Sequence, residues 1–194
     1  MTRVLGIVGS PRRNGNTDVL VSRVLEGAAQ AGAKVDTLFL ADHAIRECDG
    51  CHLCWQGQHC PRADDMAQIF PRIIEANAFV FGTPVYWYGP TGLMKLFIDR
   101  FVFFNTPGNR GLIAGKPAAV VVPYEDTDPE TVRPVVEFFE RCFQYLQIRP
   151  GGALTVPGVT ARGEVSKKPD VLQAAFDLGC SLVSQVHSTL SDSK

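Results

Sequence analysis

Short apolar runs alternate with stretches of helical periodicity along this chain. Residues 3–9 are almost continuously apolar, the pattern of a strand covered on both faces. Residues 16–31 follow, with Leu20, Val21, Val24, Leu25 and Ala28 on one helical face; Asn16 or Thr17 can cap this helix and Gly32 ends it. A second strand spans 34–40, and a cysteine-containing segment fills 41–63. Residues 64–76 read as a helix whose apolar face carries Met66, Ile69, Ile73 and Ile74. A third strand at 78–82 leads through a Pro/Gly-rich loop to a helix at 93–101. A fourth strand at 117–123 precedes a helix that Pro129 or Glu130 opens and that runs to 146. A short fifth strand at 152–156, a polar loop at 157–168 that reads as an ordinary surface excursion, and a helix at 169–190 complete the pattern. Five strand–helix units predict an α/β fold: one five-stranded parallel sheet between two helical layers, a three-layer sandwich. Right-handed crossovers leave few topologies, and the strand order 2-1-3-4-5 leads among them. The chain, 1–194, reads as a single domain with a cysteine-rich insertion at about 41–63.

Charge and cysteine usage narrow the function. Lys and Arg total 19 against 20 Asp and Glu, so there is no basic excess to meet a nucleic-acid backbone. The longest uncharged stretch, 76–94, holds Gly82, Pro84, Gly89, Pro90 and Gly92, which predicts no membrane helix there. The apolar run 4–8 is too short for a signal peptide. Four of the six cysteines, Cys48, Cys51, Cys54 and Cys60, lie within 13 residues, unlike the distributed disulfide framework of a secreted chain. The expected compartment is the reducing cytoplasm, where such a group holds metal or does redox chemistry. Cys142 and Cys180, among apolar residues in helical stretches, read as core cysteines, and His187 as a surface residue.

Two loops at strand ends point to a ligand. The first runs Gly9-Ser10-Pro11-Arg12-Arg13-Asn14-Gly15-Asn16-Thr17 into a helix. Gly9 and Gly15 let backbone amides turn toward one point, Ser10, Asn16 and Thr17 add side-chain donors, and Arg12 adds a charge. With the partial positive charge of the helix N-terminus, this suits a terminal phosphomonoester, although a plain capped turn would use some of the same residues. The loop lacks the Gly-Lys-Ser/Thr of a P-loop and the Gly-x-Gly-x-x-Gly of a dinucleotide site. The second, Thr83-Pro84-Val85-Tyr86-Trp87-Tyr88-Gly89-Pro90-Thr91, follows the third strand. Three consecutive aromatics in a loop face a flat ligand ring, a subunit interface, or both. In the 2-1-3 order these two loops flank the switch point where open α/β sheets bind ligands, so one molecule can touch both. Acidic strand ends of the receiver type and the Cys-x5-Arg of a small phosphatase are both missing.

Gly9-Ser10-Pro11-Arg12 with Gly15-Asn16-Thr17, then Thr83-Pro84-Val85-Tyr86 with Lys95 and Asp99-Arg100, resemble the flavodoxin-like NAD(P)H-dependent FMN reductase superfamily. The resemblance implies FMN, with its phosphate at Ser10, Arg12, Asn16 and Thr17. It places the isoalloxazine against Thr83, Pro84, Val85, Tyr86, Trp87, Tyr88 and Gly89, with Tyr124 as a third contact. Flavin chemistry needs no protein acid or base, so no catalytic side chain is nominated.

The cysteine segment, Cys48-x2-Cys51-x2-Cys54-x5-Cys60-Pro61, has the compact spacing of bacterial ferredoxin runs. It is similar to that of the iron–sulfur flavoproteins. That resemblance implies one [4Fe–4S] cluster on Cys48, Cys51, Cys54 and Cys60 and an electron-transfer role. Other readings stay open. Cluster-free reductases carry a similar pattern, zinc takes four thiolates (with His52 or His59 nearby), and a pair such as Cys51 and Cys54 can cycle as a dithiol. The resulting expectation is an FMN-dependent oxidoreductase coupled to a cluster, with NAD(P)H or a ferredoxin-like protein as donor and a small molecule as acceptor. A cluster-free NAD(P)H-dependent FMN or quinone reductase, and a non-enzymatic redox sensor or electron carrier, are the alternatives. A homo-oligomer, dimer or tetramer, is expected, in which the cysteine loop of one subunit approaches the FMN of another.

Overall fold

The computed structural model describes residues 1–191. Strands β1 (Arg3–Val8), β2 (Lys34–Phe39), β3 (Ala78–Gly82), β4 (Pro117–Pro123) and β5 (Arg149–Val156) alternate with helices α1 (Asn16–Gln30), α2 (Met66–Glu75), α3 (Gly92–Asp99), α4 (Pro129–Leu146) and α5 (Pro169–Ser191). The sheet order is β2-β1-β3-β4-β5, and every pairing is parallel, as the alternation predicts.

Successive side chains of a strand point to opposite faces, and in the three central strands both faces are buried. Leu5 and Ile7 of β1, Phe79 and Phe81 of β3 and Val120 of β4 meet α2, α3 and α4 through Ile69, Phe97 and Phe139. Val4, Val8, Val80 and Val121 face the other way, toward Val24 of α1 and Leu182 of α5. Two glycines set how closely α1 and α5 approach. A Cβ on Gly27 would stand 1.9 Å from the Phe176 carbonyl oxygen, and one on Gly179 would stand 1.9 Å from that of Val24.

Three boundaries differ from the pattern reading. The strand β5 begins at Arg149 rather than 152, because a register shift opposite Ala118 and Ala119 absorbs the Pro-Gly-Gly run. The helix α3 stops at Asp99, and a 3-10 turn, Arg100–Asn105, continues it. The loop 157–168 is no free excursion: it contains a 3-10 turn, Glu164–Lys167, and folds back on the start of α1. No helix among the described residues is long and apolar enough to cross a membrane.

Candidate functional site

The C-terminal ends of β1, β3 and β4 are tied edge to edge. Gly9 N–H donates to Gly82 O at 2.8 Å, and Thr83 N–H donates to Val121 O at 3.1 Å. Two buried hydroxyls fix the aromatic loop on this base. Thr83 Oγ1 accepts from Thr91 N–H and donates to Pro84 O, both at 3.1 Å. Thr91 Oγ1 accepts from Met94 N–H, capping α3, and donates to Gly9 O. Thr83 therefore lies beneath the loop and positions it.

The loops border an open cleft. Ser10, Arg12, Asn16 and Thr17 line it from the loop after β1, Pro84, Val85 and Tyr86 from the loop after β3, and Tyr124 from the end of β4. In the loop after β1, Gly15 is the N-cap of α1 and has no side chain to bond the first turn. The expected Asn16 or Thr17 cap is therefore not what forms, and the leading amides of α1 are left to meet a ligand. The Asn16 side chain turns to the loop 157–168, donating to Ala161 O and accepting from Val165 N–H, both at 3.0 Å. Ser10 Oγ accepts from Arg12 N–H at 3.3 Å, closing the turn. The adjacent arginines divide. Arg13 pairs with Asp42 and stacks 3.9 Å over the Phe39 ring, whereas Arg12 joins the cleft without a carboxylate partner among the described residues.

In the loop after β3 the chain makes a tight turn. Tyr86 N–H donates to Gly89 O at 2.9 Å and Gly89 N–H to Tyr86 O at 3.0 Å. The two central residues, Trp87 and Tyr88, both have left-handed backbone, φ 50° and 61°. Bulky residues rarely adopt that region, so this turn stores strain. Trp87 is 97% exposed and Tyr88 62% exposed. Neither lines the cleft, and nor does Gly89; only Tyr86 of the triplet does. Tyr124 is buried, and that burial, with Asp126 and Asp128 nearby, pushes its phenol above the usual range.

Val159, Thr160 and Arg162 also line the cleft, from the loop after β5, with Pro123 and Glu125 beside Tyr124. Pattern reading missed them, although any loop that follows a parallel strand emerges at this end of the sheet. Glu164 shapes their loop by accepting from Thr160 N–H at 2.8 Å and Ala161 N–H at 2.9 Å, which holds its carboxyl below the usual range. The chemistry of the cleft fits FMN. Open helix amides with Arg12 and Arg162 suit a dianionic phosphate, and the Pro84–Val85–Tyr86 wall suits a flat ring.

The four clustered cysteines line a second, shallow pocket walled by Phe70, Val102, Phe103 and Arg100. All four are unpaired thiols. Left-handed residues at Gly50, His52 and Gly57 curl the chain around it. Asp49 accepts from Cys51 N–H at 3.2 Å and pairs with Arg62 at 2.9 Å, contacts that hold its carboxyl low. Burial, with Cys48 and Cys60 adjoining, pushes the Cys54 thiol up. Among the described residues no three donors converge on one metal-ion position. Four thiolates suit the donor preference of an iron–sulfur cluster and of zinc alike, and the four thiols share this one pocket. His52 lines this pocket; His59 does not. The neck of the segment is closed: Ala44 N–H donates to Asp65 Oδ2 at 2.8 Å, Asp65 N–H to Ala44 O at 3.1 Å, and Arg46 N–H to Asp64 Oδ2 at 2.9 Å. Cys142 is half-buried against the α2–α4 core, and the Cys180 thiol donates to Gly27 O at 3.3 Å, so both stand apart from the pocket.

Residues 2–126 match the family model described as NADPH-dependent FMN reductase. An iron–sulfur flavoprotein of Archaeoglobus fulgidus is 29% identical over 187 residues, covering 96% of this chain and 81% of the relative. Another, from Methanocaldococcus jannaschii, is 38% identical over 98 residues, so the match spans about half of each protein (50% and 51%). The solved structure of a Trp repressor binding protein from Bacillus subtilis superposes with a TM-score of 0.69 at 27% identity, covering 91% of this chain and 99% of that one. The parallel sheet in 2-1-3-4-5 order has the flavodoxin-like architecture. With its two strand-end loops inside the matched region, this chain belongs to the NADPH-dependent FMN reductase family.

Proposed function

We propose that this protein is an FMN-dependent oxidoreductase that takes electrons from a nicotinamide donor and passes them singly through an iron–sulfur cluster in its cysteine loop. The observation that carries this reading is the cleft at the switch point, with cationic groups and open helix amides at one end and an aromatic wall at the other. Arg12, Arg162 and the first amides of α1 hold the phosphate, and Thr17, almost wholly buried, presents its hydroxyl from the same turn. Pro84, Val85 and Tyr86 orient the ring, and Tyr124 adds a further contact from the end of β4. When bound, FMN accepts a hydride as an electron pair and can release electrons one at a time. Cys48, Cys51, Cys54 and Cys60 would hold the cluster, and a reducing compartment such as the cytoplasm keeps such thiols available. Exposed Trp87, Tyr88 and Trp55 offer the surface for a homodimer or homotetramer that brings a cysteine loop to a neighbouring flavin cleft.

Anaerobic purification followed by visible spectroscopy and iron and sulfide analysis tests this. The expected result is a flavin spectrum over broad iron–sulfur absorption, with bleaching on NADH or NADPH. Flavin without iron would reduce the reading to a cluster-free reductase, and no flavin would overturn it.

A further inference from the structure

Arg100 is almost wholly buried, 2% exposed, at the end of α3. A buried guanidinium persists only where its charge and donors are matched. Its Nη1 donates to Asp64, itself buried, and to Arg46 O at 3.0 Å. These bonds close the neck of the cysteine segment. Its Nη2 does something the neck does not require: it donates to the Sγ of Cys60 at 3.2 Å. Arg62, the other guanidinium lining the pocket, pairs with Asp49. Arg100 is thus the cation aimed at a thiol sulfur, in a fixed planar fork whose second arm is locked by Asp64.

We propose that Arg100 is the positioning residue that aims Cys60 into the thiol pocket and raises the reduction potential of the cluster held there. The inference rests on the cluster reading of the cysteine loop. Adding an electron makes a cluster and its thiolates more negative, and a fixed positive donor on one ligand sulfur stabilises that reduced state. The same side chain stands at the end of α3, whose first turn Thr91 caps beside Gly9 at the flavin cleft. One short helix therefore joins both sites.

The test is a potentiometric titration of the whole protein, followed by the electron paramagnetic resonance of its reduced cluster. Removing Arg100 alone would strand a buried carboxylate, so Asp64→Asn is compared with Asp64→Asn/Arg100→Gln. The double variant is expected to hold about tenfold less reduced cluster at a given potential, a shift of about 59 mV for one electron. If the double variant fails to assemble a cluster, Arg100→Lys carries the test. The charge stays, but an ammonium cannot reach Asp64 and the Cys60 sulfur together, so a smaller fall of the same sign is expected. Equal potentials in variants that retain iron overturn the inference and leave the cluster reading standing. Iron missing from the unmodified protein overturns both.

Discussion

The side-chain oxygen of Asn16 stands 3.0 Å from the backbone nitrogen of Val165, 149 residues away, and accepts its hydrogen bond. With the reciprocal bond to Ala161, this single amide fastens the loop after β5 to the first turn of α1. Asn16 thus shapes the α1 end of the cleft by holding that loop in place. Replacing it with Ala removes two hydrogen bonds, each worth about 1 kcal/mol. Asn16→Ala is expected to weaken FMN binding about tenfold and to expose the loop 157–168 to proteolysis in the apoprotein. Fluorescence titration with FMN and limited digestion check this. Weaker binding with unchanged digestion would return Asn16 to a direct phosphate contact.

The strained turn makes a prediction of opposite sign for stability. Trp87 and Tyr88 occupy the two left-handed positions that Asn-Gly favours in a tight turn. The Trp87 ring is almost fully exposed and packs little within the chain. Trp87→Asn/Tyr88→Gly is expected to stabilise the apoprotein by about 1–2 kcal/mol, since left-handed backbone costs about that much per ordinary residue. Its melting temperature should rise, while sedimentation should show the assembly weakened. A lowered melting temperature would show that the rings pack within the subunit.

Lys116 supplies a pH dependence. Burial draws its ammonium down from an ordinary 10.5 to about 8, while its Nζ donates to the Ile74 carbonyl at 2.7 Å at the end of α2. Between those two values the unfolded chain binds the proton and the folded chain does not, so stability rises with pH across that window. Below about pH 8 both states are protonated and the slope vanishes. Urea unfolding of the unmodified protein and of Lys116→Met, from pH 7 to 10, is expected to show their difference changing only above about pH 8. A constant difference would place the lysine's proton affinity near that of free lysine.

Cys142 and Cys180 should be dispensable for metal. Cys142 packs beside the core, where burial pushes its thiol up, and Cys180 bonds Gly27 O across the α1–α5 contact. Converting both to Ala is expected to leave iron content unchanged while lowering stability by roughly 1 kcal/mol for the lost thiol–carbonyl bond and packing. Iron lost in that variant, with flavin retained, would mean the ligand set is wrong.

Pattern alone located all five strands and all five helices, because buried parallel strands are apolar runs and the helices keep a clear period. The strand-end loops and the family resemblance singled out Ser10, Arg12, Asn16, Thr17, Pro84, Val85, Tyr86 and Tyr124, which line one cleft, together with Thr83, Trp87, Tyr88 and Gly89, which do not. What pattern could not read was long-range side-chain choice. Nothing local says that Arg13 stacks on Phe39 while Arg12 stays in the cleft, or that Asn16 reaches across to Val165. Three glycine- and proline-rich positions, 150–152, looked like a break, and only the neighbouring strand's register shows that the ladder continues through them. Arg100 entered as part of a family motif; its burial against Cys60 needed the folded chain.

The closed neck between residues 44–46 and 64–65 has a consequence for how this architecture can vary. The chain enters and leaves the cysteine segment at nearly one point, already bridged by backbone and carboxylate bonds. Because the ends are held together by the rest of the domain, the length between them adds only slowly to the closure entropy. The intervening 47–63 stretch is therefore an exchangeable cassette. Its length and side chains can change while the sheet and the cleft at the strand ends keep their geometry. Changes confined to this stretch leave the strand ends that frame the cleft untouched.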